Sequence, residues 1–182
     1  NLSEVECFNL YGMPASLPAL TVGSTYYLRV FCSPNTAFDF TLCLRNVQMN
    51  TSCSSAVRIQ PSPNDQCGQP TTGSTSGLSE TVYSTCDGSY YHTALWYRFT
   101  ATSGVHIVRL QNVANQYGGE GLFMELLSSC HSYHLGCGRE IFATNLNPGQ
   151  DYFVRVVGQI NSGSRFELCV LTPEQPDNDN CP

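Results

Sequence analysis

The chain has 182 residues, only 12% of them charged, and a formal net charge of −6 at pH 7. All eight basic residues are Arg, too few to neutralise a phosphate backbone or hold an anionic bilayer, which argues against nucleic acid and membrane surfaces as partners. Ten cysteines in a Ser-, Thr-, Gly- and Asn-rich sequence point to an oxidising compartment, outside the cell or on its surface. No apolar run reaches the roughly 20 residues that would span a bilayer.

In chain order, Asn1-Leu2-Ser3 and Asn50-Thr51-Ser52 are acceptor tripeptides that make Asn1 and Asn50 candidate glycosylation sites if the source is eukaryotic. Residues 20–43, LTVGSTYYLRVFCSPNTAFDFTLC, lie without a gap over residues 146–169, LNPGQDYFVRVVGQINSGSRFELC. Leu20, Gly23, Tyr26, Arg29, Val30, Asn35, Phe40, Leu42 and Cys43 meet identical residues in the second copy. Both copies run on to an acidic junction, Pro63-Asn64-Asp65-Gln66-Cys67 and Asp177-Asn178-Asp179-Asn180-Cys181. Residues 44–60 and 68–80 have no periodicity and read as a junction and as a covering loop or irregular edge.

Further along, apolar and polar residues alternate in Leu95 to Thr100, Val105 to Leu110, Leu122 to Leu127, Tyr152 to Val157 and Phe166 to Val170, each of strand length and bounded by turn formers. Leu95, Tyr97 and Phe99 share one face, with Trp96 on the other as a further packing anchor. Asn147-Pro148-Gly149-Gln150 has the chemistry of a tight turn, and Asn161-Ser162-Gly163-Ser164 that of a hairpin link. No segment keeps a helical period. The expected fold is all-β, disulfide-stapled jelly-roll or Ig-like β-sandwich modules in tandem. Residues 1–57 would be the C-terminal part of one module, 58–176 a complete module, and 177–182 the start of the next or a linker. A half-module would leave strand edges and an apolar face bare, to be completed by upstream sequence or a neighbouring molecule.

Ala94-Leu95-Trp96-Tyr97-Arg98-Phe99-Thr100-Ala101, then Ser129-Cys130, Cys137, Leu146-x-x-Gly149-x-x-Tyr152-Phe153-Val154-Arg155-Val156 and Gly163-x-x-Phe166-x-Leu168, form an ordered set. Together they resemble the pre-peptidase C-terminal (PPC-like) β-sandwich repeats of large secreted and surface proteins of the Bacteroidetes type. The resemblance implies a jelly-roll-like module without catalysis of its own, used as a spacer, an adhesive unit or a hydrolase appendage.

Few residues offer chemistry. Cys130, His131, His134 and Cys137 have the donor types of a zinc site, set against a local Cys130–Cys137 disulfide, which the oxidising compartment favours. Cys67 and Cys86 bracket the irregular start of the module and form a natural pair. Cys43 and Cys169 alternate against core residues and so point off the core face, with Cys32 and Cys53 as candidate partners. Asp65, Asp177 and Asp179 offer hard oxygen ligands to calcium, but their spacing fits no complete calcium loop, so no metal or other cofactor is expected. Tyr90, Tyr91, Tyr117 and Tyr133 are candidates to stack on sugars, against the plainer reading of sheet-face packing. No nucleophile elbow, His-Glu-x-x-His or phosphate loop is present, so no enzymatic activity is expected. These residues read as a non-catalytic extracellular structural or adhesive repeat of a surface fibre or long adhesin, whose partners are copies of itself or neighbouring modules. The alternative is a carbohydrate-binding or accessory module of a secreted hydrolase, with surface glycans as partner.

Overall fold

The structure, a computed structural model, describes residues 20–31, 33, 39–42, 50–78, 80–114, 121–160 and 163–174. It divides into two compact units, Asn1–Gln48 and Met49–Pro182. The second unit contains a two-sheet sandwich. A single 3-10 turn (Cys53–Ser55) precedes β1 (Val57–Arg58), β2 (Thr71–Ser74), β3 (His92–Thr100), β4 (His106–Ala114), β5 (Leu122–Leu127), β6 (His134–Gly138), β7 (Glu140–Ala143), β8 (Asp151–Gln159) and β9 (Arg165–Leu171). One sheet has the order β1-β3-β8-β5-β6 and the other β2-β9-β4-β7. Pairing is antiparallel throughout except for β1, which lies parallel to β3.

Alternation fixes the core. Leu95, Tyr97 and Phe99 of β3, Met124 and Leu126 of β5 and Val154 and Val156 of β8 face Val108 and Leu110 of β4 and Phe166, Leu168 and Val170 of β9. Each such side chain contributes roughly 1.5–3 kcal/mol when fully buried. Burial also pushes the Tyr97 phenol up to about 12, against a weaker opposing hydrogen bond from Asn50. The five alternating segments of the sequence are thus β3, β4, β5, β8 and β9. The reputedly irregular 68–80 contributes β2, an edge strand against β9. Its Gly73 lies where a Cβ would run into the Phe166 ring and the Tyr97 hydroxyl, which is why a Thr-Thr-Gly-Ser run can serve as a strand here.

Two expectations are corrected and a third holds. The unit boundary falls at Gln48/Met49 and not at 57/58, because Asn50 is tied to β3: the Trp96 N–H donates to the Asn50 carbonyl, and Asn50 Nδ2 donates to the Trp96 carbonyl, both at 2.7 Å. β8 and β9 are not the two arms of a hairpin, since they lie in different sheets; residues 161 and 162 of the expected link lie outside the described residues. Asn147–Gln150 is the expected turn, with the Gln150 N–H donating to the Asn147 carbonyl at 3.1 Å and Gly149 at φ +86°.

In the first unit, residues 24–31 and 39–42 carry no strand among the described residues, although they repeat the sequence of β8 and β9. What they do share with the second copy is the turn. The Thr21 N–H donates to the Tyr26 hydroxyl and the Asn147 N–H to the Tyr152 hydroxyl, each at 2.9 Å. The Ser24 N–H donates to the Thr21 carbonyl at 3.2 Å, and Gly23 sits at φ +84°. Hydrogen bonds within five residues form from local sequence alone; strands need partners.

Candidate functional site

The outer face of the five-stranded sheet is covered, and the cover carries the candidate site. Register places Arg155 of β8 between Trp96 of β3 and Glu125 of β5. The Arg155 guanidinium lies 5.3 Å from the Trp96 ring centre and donates to Glu125 Oε2. Glu125 is fully buried. Its Oε1 accepts from Ser84 Oγ and the Thr85 N–H, both at 2.8 Å, and from the Cys86 N–H at 3.2 Å. A buried carboxylate is tolerable only when paired and saturated with donors in this way. Here it fastens residues 84–86 to the sheet, and a Cys86–Cys137 disulfide fastens the same loop to edge strand β6.

Above that anchorage the loop turns at Gly88, φ +70°, with the Gly88 N–H donating to the Ser84 carbonyl at 3.0 Å and the Ser84 N–H to the Ser89 carbonyl at 2.9 Å. Tyr83 and Tyr90 meet on it with ring centres 4.6 Å apart and planes tilted by 46°. Tyr83, Tyr90 and Tyr91 are 43, 67 and 77% exposed. Beside them Asp87 Oδ2 lies 2.6 Å from His92 Nε2, and Asp87 Oδ1 accepts from the Ser89 N–H at 3.1 Å. Burial pushes the Asp87 carboxyl up, but hydrogen bonds from His92, the Ser89 backbone and Ser84 outweigh it and hold the group below the ordinary carboxylate range. The result is a Tyr83–Tyr90 ring pair on an anchored loop, with exposed Tyr91 next in sequence and one carboxylate, groups of the kind that stack on and hydrogen-bond to a polyhydroxylated ligand. A cleft of about 350 Å³ lies at the opposite end of the sandwich, lined by Leu135, Phe142, Asn145, Asn147 and Gln150 among others.

Residues 49–169 match the family described as galactose-binding domain-like, a T9SS-associated group. The chain belongs to that family. Membership, with three disulfides, fits a secreted, non-catalytic extracellular module. No curated protein and no solved structure matches the chain. No helix among the described residues is long and apolar enough to cross a membrane.

The family's sandwich is stapled differently from the sequence expectation. Cys130 bonds to Cys53 and not to Cys137, Cys137 to Cys86, and Cys67 to Cys169 and not to Cys86. The cause is topological: Cys130, in the turn between β5 and β6, and Cys137, on β6, are fastened to two separate covering segments, while Cys169 on the outward side of β9 meets the segment that crosses it. Cys32 and Cys43, with Asn1, Tyr117, Asp177 and Asp179, lie outside the described residues. Cys86, His134 and Cys137 do bring their ligand atoms within 4.8 Å of one another, but the two sulfurs are bonded to each other and offer no thiolates. His134 Nδ1 lies instead 3.0 Å from Thr85 Oγ1, and His131 is exposed. Asp65 is exposed in a turn where Asn64 Oδ1 accepts from the Gln66 N–H at 3.0 Å, and it belongs to no cluster of three or more metal-type ligands among the described residues.

Asn50 is a correction of another kind. The side chain is buried and its Nδ2, the atom a glycan would occupy, donates to the Trp96 carbonyl; the folded unit has no room for the modification. Tyr90 and Tyr91 are exposed together, whereas Tyr133, 84% exposed, stands on the loop before β6. Tyr83, Asp87 and His92 were missed. A local signal for them existed in the Asp-Gly-Ser turn flanked by tyrosines, Tyr83 to Tyr91.

Proposed function

We propose that this module recognises glycans at the cell exterior through the Tyr83–Tyr90–Tyr91 loop, and that its adhesive role rests on that recognition. The observation that carries the reading is the gathering of three exposed phenols on a loop immobilised from below by Glu125 and the Cys86–Cys137 bridge. Solvent-exposed aromatics held rigid lose little freedom on binding and keep their ring faces for sugar C–H surfaces. Asp87, ionised and hydrogen-bonded, supplies an acceptor for ligand hydroxyls. Family membership and the resemblance to PPC-like repeats of secreted proteins support the same placement.

The test is a glycan array with the intact protein, followed by calorimetry on any hit. Tyr90→Ala and Tyr91→Ala are expected to weaken binding tenfold or more, about 1.4 kcal/mol, with thermal stability unchanged. Binding that survives both substitutions, or an array without hits, sinks the proposal.

A second reading is favoured by the turn that recurs at Thr21–Tyr26 and Asn147–Tyr152: the chain as part of a tandem array whose units serve as structural repeats. Electron microscopy of the native secreted polypeptide distinguishes a string or filament of units from an isolated particle.

A further inference from the structure

The two copies of the duplicated element have opposite fates. Tyr152, Val154, Val156, Phe166 and Leu168 are at most 3% exposed in the sandwich core, while their counterparts Tyr26, Leu28, Val30, Phe40 and Leu42 are 42 to 60% exposed. The residues match position for position, and the alternation that makes one face apolar is the same. In the folded copy this face is covered because β8 lies between β3 and β5, and β9 between β2 and β4. These are interior strands of both sheets, so no sandwich of this kind closes without them.

We propose that residues 25–31 and 39–42 are the β8 and β9 equivalents of a preceding module of the same family, and that their apolar face docks between strands equivalent to β3, β5, β2 and β4 carried by polypeptide on the N-terminal side of Leu20. The inference rests on the tandem reading. Its N-terminal source is argued from the turn. In the second copy that turn delivers the chain from β7 into β8: the Leu146 N–H donates to the Gly104 carbonyl at 3.0 Å, and the Gly149 N–H to the Ala101 carbonyl at 2.8 Å. The first copy keeps the turn's internal hydrogen bonds and its positive-φ glycine, so it is built to receive a chain arriving from a β7 equivalent. Arg29 also stands where Arg155 stands. Its counterpart reaches a buried carboxylate on β5, which makes a glutamate on the incoming β5 equivalent the specific partner of Arg29.

The test supplies the missing strands from the chain itself. Residues 49–145 are fused directly ahead of Leu20 in the full protein, so that one polypeptide carries the surrogate half-module, the first copy and the intact second unit. Hydrogen exchange is then followed by mass spectrometry. In the 182-residue chain, amides of 25–31 are expected to exchange freely; in the fusion they are expected to slow at least a hundredfold, toward those of 151–157, and Cys43 is expected to bond to the Cys67 counterpart of the added segment. Fast exchange at 25–31 while 151–157 stay protected overturns the docking. It leaves the array reading standing, since that depends on the native polypeptide seen by microscopy. A gentler variant guards against mismatched packing: Asp151→Thr, Phe153→Tyr and Val154→Leu together convert β8 into the first copy through position 156. This triple variant is expected to unfold cooperatively with the exchange pattern of the parent, and its failure to fold would equally refute the equivalence.

Discussion

Removing the Glu125 carboxylate tests how the covering loop is held. In Glu125→Ala the Arg155 guanidinium, only 11% exposed at its side chain, keeps its charge without a counter-ion. The Thr85 and Cys86 N–H groups and the Ser84 hydroxyl lose their common acceptor. Breaking a buried ion pair from one side costs about 3–5 kcal/mol, and orphaned donors act in the same direction. Against a total stability of about 5–15 kcal/mol, a loss near 4 kcal/mol should lower the melting temperature on the order of 15 °C. The chain's only tryptophan, Trp96, lies under Arg155, so its fluorescence in urea reports on this locus as well as on global unfolding. Glu125→Leu combined with Arg155→Met, which removes both charges and keeps apolar volume, should recover most of the loss. A cost below about 1 kcal/mol for the alanine variant, or a double variant as unstable as the sum of the singles, would show that the pair does not anchor the loop.

Three other outcomes follow from packing, titration and cross-linking. Gly73→Ala should destabilise by about 1–3 kcal/mol, because the added methyl meets Phe166 and Tyr97 in a filled core; urea midpoints of the purified variant decide this, and an unchanged midpoint refutes it. His106 is buried, with Nε2 accepting from the Thr102 and Ser103 N–H groups at 3.1 and 3.2 Å and Nδ1 facing the Leu171 carbonyl at 3.1 Å. Burial lowers its pKa below 6.5, with the Leu171 hydrogen bond opposing more weakly. The unfolded chain therefore takes up the proton first, so this stabilisation is complete above about pH 6.5 and is lost as the pH falls from there through the folded value. Stability measured from pH 7.5 to 5 should fall less steeply in His106→Asn, and an identical slope would dismiss the histidine. The Cys67–Cys169 bridge closes 102 residues, for which loop entropy gives roughly 4–5 kcal/mol, against about 2.5 for the short Cys130–Cys137 loop expected from sequence. The double Ser variant should show the larger loss in denaturant titrations, and a loss near the smaller figure would contradict the connectivity.

What the sequence made legible was whatever repeats within a few residues. Period-two alternation located β3, β4, β5, β8 and β9, and Pro148-Gly149 located the turn before β8. The strands it did not reveal are short and held by neighbours: β2 has a glycine where two rings close in, and β6 reads His-Leu-Gly-Cys-Gly, whose alternation is broken by an extra residue, Leu135, opposite the Leu126–Leu127 step of β5. Cysteine partners 51 to 102 residues apart depend on which segments cover which sheet face, and no local pattern carries that. The site was half legible for the same reason. Tyr90 and Tyr91 stood out as aromatic neighbours, but the meeting of Tyr90 with Tyr83 depends on a loop held by a carboxylate about forty residues away in β5. The Asn50 tripeptide was plain in the sequence, while the burial of its amide follows only from the docking of residues 50–56 on β3.

The low charge content of the chain has a cause in the covers of the sandwich. A sheet face turned to solvent needs polar side chains; one roofed by loops does not. From His92 to Tyr97 every residue of β3 is buried, on both faces. Phe123, Leu127, Phe153 and Val157 share the outer face of the same sheet with the Arg155–Glu125 pair, so that face has little use for charge. Two further ion pairs, Arg109 with Glu140 and Arg98 with Asp151, lie at the surface of the strands. A sheet face roofed in this way leaves the tyrosines of the roof itself exposed, Tyr83, Tyr90 and Tyr91 among them. The proposed glycan recognition therefore rests on the roof more than on the sandwich, and substitutions at its fastenings, Cys53, Cys86 and Glu125, should disturb it without touching the tyrosines.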